Sequence, residues 1–217
     1  MTAQTPIEVR DMAIVHRTLR TTFDESARLV RAANDPTPAR VTFLSSHIAL
    51  TLDLLHHHHH GEDLKLWPVL TERAPAEAEM VREVADQHTA VDSSIGHIRE
   101  LLNAWRVSPD AAARDALADA LENLTVVLSA HLDDEERLVV PLAAVTMTQE
   151  EWNAIGEHAR GSIPQEQIFL VFGMLLEPLD DDERAFMLAP LPPPVRELWT
   201  TMGEPGWQQY SAQLRAA

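Results

Sequence analysis

The sequence contains no cysteine. That absence removes disulfide frameworks, thiolate zinc sites, iron–sulfur clusters and cysteine nucleophiles together. Any metal bound here is held by nitrogen and oxygen donors. Aromatic residues are scarce, and the one tyrosine, Tyr210, sits in no motif that suggests a tyrosyl radical. Basic residues are few as well: 17 Lys and Arg stand against 34 Asp and Glu, for a formal net charge of −17. An excess of negative charge this large argues against a phosphate backbone or an anionic membrane surface as partner. The longest apolar run, around 168–176, falls far short of the roughly 20 residues that span a bilayer, and residues 1–10 lack the apolar stretch of a secretory signal. The expectation is a cytoplasmic protein that engages neither nucleic acid nor membrane.

What the chain has in abundance is helical periodicity, with almost no strand-like alternation. Its 217 residues suffice for one ordinary domain with an appendage. The pattern predicts four long helices. The first opens on Thr5-Pro6-Ile7-Glu8, a capping-box pattern with proline at the first helical position, and ends near Asn34. A second runs from Thr37-Pro38 to about Trp67, where Pro68 is expected to stop it. The third spans about 75–106, and the fourth runs from Ser108-Pro109-Asp110 to about Val140, ahead of Pro141. Helices of similar length joined by short loops describe an all-α, up-down-up-down four-helix bundle over residues 5–145. Residues 146–217 open on a second capping-box pattern, Thr148 to Glu151, and then break at prolines, including 192–194. They are expected to form a short-helix cap packed on the bundle.

Histidine supplies 11 residues, five of them in the run from His56 to His60. A run at a terminus would suggest a purification tag, but this one lies inside an apolar-periodic helix and is read as native. At about 100° per residue, His58 and Glu62 share the inward face with Leu44, Thr51, Leu54 and Leu55, while His56 and His60 point away. The fourth helix repeats the arrangement with Leu124, Leu128, His131, Glu135 and Leu138. In both helices an acidic residue follows the glutamate (Asp63, Glu136), and a proline comes later at the same offset.

His16 precedes His58 by nearly the same interval as His88 precedes His131. Each half of the bundle thus supplies one helix with a single inward histidine and one with His-x-x-x-Glu. Halves related by a pseudo-twofold axis gather four imidazoles and two carboxylates around one cavity. A pair of metal ions bridged by the two glutamates suits that symmetry. Burying such groups unpaired is costly, so six of them need a common partner. No Glu-x-x-His pair of the kind used by ferritin-like iron stores occurs.

This pattern resembles the hemerythrin-like, His-His-Glu cation-binding family, over roughly residues 5–145. The resemblance implies a non-haem di-iron centre with an oxo or hydroxo bridge, its ligands being His16, His58, Glu62, His88, His131 and Glu135. It implies binding of, or reaction with, a small molecule (O2, NO or peroxide) for sensing, storage or detoxification. A di-iron oxidase or peroxide-consuming enzyme, or an interaction module built on a structural metal, are the alternatives. In oxygen carriers of the family the position four residues after the third helix's histidine is a second histidine. Here it is Asp92, so the missing donor is Asp92 itself, a flanking residue such as His59, or water, which shifts the expectation away from reversible oxygen carriage.

Among the remaining candidates, Asp63, Asp134 and Glu136 are placed to orient imidazoles from outside the ligand set. His47 lies about 16 Å along the helix from His58, too far to share a site. His97 and His158 show no metal spacing.

Overall fold

The computed structural model describes residues 6–216, all of whose regular elements are helical. The bundle consists of α1 (Arg10–Ala32), α2 (Pro38–Lys65), α5 (His88–Val107) and α6 (Ala111–Asp134). Helix α1 lies against α2 and α6, and α5 against α2 and α6, which closes the four-membered ring. Thr37 caps α2 by accepting the Arg40 N–H, with Pro38 in the first turn, and Asp110 caps α6 by accepting the Ala113 N–H.

Four expected boundaries shift. Helix α1 does not begin at Pro6; it starts at Arg10, and Thr5 lies outside the described residues. The amides ahead of it are engaged elsewhere: the Ile7 N–H donates to Ala144 O (3.0 Å) and the Glu8 N–H to Gln149 Oε1 (2.9 Å). The third helix is two helices, α4 (Ala78–Asp86) and α5, separated at Gln87. Neither Pro68 nor Pro141 ends its helical course. Pro68 falls in the first turn of α3 (Trp67–Arg73) and Pro141 in the first turn of α7 (Val140–Thr146), where no helical N–H is needed. On the α6 side the passage is a π-turn, Glu135–Val139, in which the Val140 N–H reaches back to Glu135 O.

The core has two apolar blocks. One contains Leu19, Phe23, Leu54, Leu55, Val91, Leu128 and Leu132; the other contains Met12, Leu66, Trp67, Val84, Val139 and Trp152. Between them α1, α2, α5 and α6 present His16, His58, His88 and His131.

After α7 the chain folds back over the bundle as α8 (Gln149–Gly161), α9 (Ile168–Leu176), α10 (Asp181–Leu188), α11 (Pro193–Leu198) and α12 (Glu204–Arg215). The capping box on α8 forms between Thr148 and Glu151. Helix α8 packs on α2, and Trp152 Nε1–H donates to Asp11 at the start of α1 (2.9 Å). Farther along, Arg40 of α2 donates to the carbonyls of Gln213 and Leu214 (2.9 and 2.8 Å), and Arg215 pairs with Glu25 and Glu177. Glycine is required where α9 meets α12, because a Cβ on Gly173 would stand 2.4 Å from Trp207 Cγ.

Candidate metal centre

Two donor groups lie side by side in the layer between the apolar blocks. His16, His58, Glu62 and Glu135 can each offer one atom such that all lie within 4.8 Å of one another, and His59, His88 and His131 form a second group by the same measure. All seven residues are at most 5% exposed. Glu62 connects the groups, with Oε1 3.2 Å from His58 Nε2 and Oε2 3.6 Å from His88 Nε2. Glu135 mirrors it, its Oε2 lying 3.4 Å from His16 Nε2 and 3.7 Å from His131 Nε2.

The outward ring nitrogens have acceptors. His16 Nδ1–H donates to Glu136 Oε1 (2.9 Å), His88 Nδ1–H to Asp63 Oδ1 (2.9 Å), and His131 Nδ1–H to Gln87 Oε1 (3.1 Å). Gln87 in turn donates to Asp134 (3.1 Å). Placing the proton on Nδ1 leaves each Nε2 lone pair aimed inward, the tautomer a metal ligand needs. The acidic residue after each inner glutamate therefore orients the single histidine of the opposite half. Glu136 also receives Arg20 (2.8 Å), and these donors, His16 foremost, hold its carboxyl down to about 2. Trp67 Nε1–H adds a bond to Asp63 (3.1 Å).

The inward atoms, by contrast, have no hydrogen-bond partner. Nε2 of His16, His58, His88 and His131, both nitrogens of His59 and both oxygens of Glu62 and Glu135 are buried and unbonded. They make up more than half of all such atoms among the described residues. Leaving a buried polar group unsatisfied costs about 1–3 kcal/mol, so this concentration demands a partner common to all of them. Burial pushes the Glu62 and Glu135 carboxyls up and holds the imidazoles of His58 and His59 well down, with His131 at about 3. Cations bound between the two groups remove that penalty by taking the imidazole lone pairs and ionised carboxylates as ligands.

The six residues expected from the duplicated pattern are thus brought together. His59 joins them: its ring stacks on His88 at 4.0 Å and meets His131 edge-on at 5.0 Å. Asp92 does not. Its side chain is 54% exposed and lies 3.9 Å from the exposed ring of His56. The inward stripe of α5 runs His88, Val91, Ile95, Ile98, Leu102 and Trp105, so its first step from His88 is three residues, and Asp92 falls beside the stripe. The fifth imidazole comes from α2, where His58 and His59 each turn toward a different donor group. A clue lay in the unbroken histidine run, but helical angle alone did not favour His59.

An all-α bundle whose buried layer consists of imidazoles and carboxylates is a metal-binding helical protein. The family model described as the hemerythrin HHE cation binding domain matches residues 8–143, and the chain belongs to that family. No curated protein and no solved structure matches it. No helix among the described residues is long and apolar enough to cross a membrane.

Proposed function

We infer that this protein holds two iron ions as a non-haem di-iron centre and binds or reacts with a small molecule (O2, NO or peroxide) for sensing, storage or detoxification. The observation that carries the reading is the pair of adjacent donor groups sharing two fully buried carboxylates that face only each other and the inward imidazoles. His16 and His58 would hold one ion and His59, His88 and His131 the other, with Glu62 and Glu135 available to both. Mixed imidazole and carboxylate donors suit iron, and when bound it supplies reversible redox change and exchangeable coordination positions. With both carboxylates shared, the side of His16 and His58 would offer four protein donors against five on the side of His59, His88 and His131, so it is the side with room for an exogenous molecule.

The chain's own residues orient and insulate. Glu136, Asp63 and Gln87 fix the ring faces of His16, His88 and His131 from outside, and the apolar blocks above and below keep bulk water from the carboxylates. In the proposed division, residues 5–145 carry the centre, residues 146–217 buttress it, and the protein works in the cytoplasm.

The experiment is iron content per chain, with the visible spectrum recorded before and after exposure to oxygen, NO and peroxide. About two irons with a spectrum that responds to one of the three supports the reading. Catalytic loss of peroxide would favour the enzyme alternative, and zinc in place of iron would favour a structural metal.

A further inference from the structure

Four of the remaining histidines form a second cluster on the outside of the bundle. His56 and His60 lie one turn apart on α2, both exposed, with rings parallel to within 7° and centroids 6.1 Å apart. His57 stands 5.5 Å from His56. From α8 comes His158, whose ring centroid is 5.2 Å from that of His60 and whose Nε2 is buried without a hydrogen-bond partner. Asp92 of α5 completes the edge, its Oδ1 3.9 Å from His56 Nδ1.

We propose that this cluster is a surface site for one divalent late transition-metal ion, Cu2+ or Zn2+, separate from the buried centre. Two histidines four residues apart on one helix face are the spacing by which a helix chelates such an ion. Imidazole is the donor these ions favour, and Asp92 adds a negative charge at the rim. His158 of α8, beside His60 and with a buried Nε2 that has no hydrogen-bond partner, is the third donor of the proposed site. The rings of His56 and His60 are exposed, and in a Zn2+ site each would place one nitrogen about 2.0–2.1 Å from the shared ion. The strongly acidic surface raises the local concentration of cations around it. None of these four histidines belongs to the buried donor groups, so the site stands whatever metal the buried centre contains.

The test compares the native protein, isolated with its resident metal, with a His56→Ala/His60→Ala double variant and with His158→Ala. Each is titrated calorimetrically with Zn2+ and separately with Cu2+, and resident metal is assayed before and after. The native chain is expected to take up one added ion, Cu2+ more tightly than Zn2+, with nitrogen hyperfine structure in the Cu2+ electron paramagnetic resonance spectrum. The double variant should lose that binding at least tenfold with resident metal unchanged, and His158→Ala should weaken it severalfold. Equal titrations for native and double variant overturn the proposal. So does loss of resident metal in the double variant, which would make these rings part of the buried centre. Should the buried centre prove to contain no iron, the comparison between variants still reads the surface site by itself.

Discussion

Acidification should loosen the C-terminal helices from the bundle through one residue, His47. Its ring is 1% exposed, Nδ1 shares a hydrogen bond with the Tyr210 hydroxyl of α12 (3.2 Å), and Nε2 has no partner. Burial lowers it from 6.5 to about 4, with Glu25 opposing that shift and Arg215 adding to it. The folded state thus holds the proton less readily than the unfolded chain. Stability from the neutral ring is complete above pH 6.5 and is lost as pH falls towards 4. At about 1.36 kcal/mol per pH unit, the whole window is worth roughly 3 kcal/mol. The assay is urea unfolding between pH 7 and 4.5, native against His47→Gln. The native protein should lose stability with falling pH more steeply than the variant by about 1.4 kcal/mol per unit near pH 5. Because His58, His59 and His131 are common to both proteins, the difference isolates His47. Parallel curves would refute the reasoning.

His58→Ala and His131→Ala should each remove most of the bound metal, since each leaves two buried carboxyls facing an incomplete ligand set; elemental analysis showing full occupancy in either variant would contradict the assignment. Metal removal should lower the melting temperature yet leave the far-ultraviolet circular dichroism helical, because the two apolar blocks bury a large core by themselves. A random-coil spectrum after chelation would count against this. Asp92→His should change neither metal content nor the visible spectrum, as that side chain lies outside the buried layer; a new absorption band in the variant would show that α5 turns inward in solution.

The helical class and the convergence of six residues at the candidate site were legible because both rest on periodicity. His-x-x-x-Glu puts two donors on one face whatever the rest of the helix does, and its repetition in α2 and α6 marked both halves. The helix ends were less legible. Pro68 and Pro141 read as stops, yet a proline in the first turn of a new segment costs no hydrogen bond, and the π-turn at Glu135–Val139 leaves no local signature in composition. The same limit applied to Asp92. Spacing of four residues from His88 suggested one face, whereas α5 restarts at His88 and its stripe steps first to Val91. In the proposed assignment His59 is the fifth imidazole, and on that reading the absence of a second histidine from α5 no longer argues against oxygen carriage. The unremarkable signals, Asp63 and Glu136 on an acidic chain, turned out to face His88 and His16, which only the packing of separate helices reveals.

The close approach of α8 to α2 breaks the equivalence of the two halves. Gly61, the residue before Glu62, is buried where a Cβ would stand 3.2 Å from Ile155 O. Its counterpart in the other half, the residue before Glu135, is Asp134, whose side chain is 35% exposed. Beside Glu62 the donor layer is covered by α8, whereas beside Glu135 it is edged by the half-exposed Asp134 and its bond from Gln87, and two sites that began as copies meet their surroundings on unequal terms.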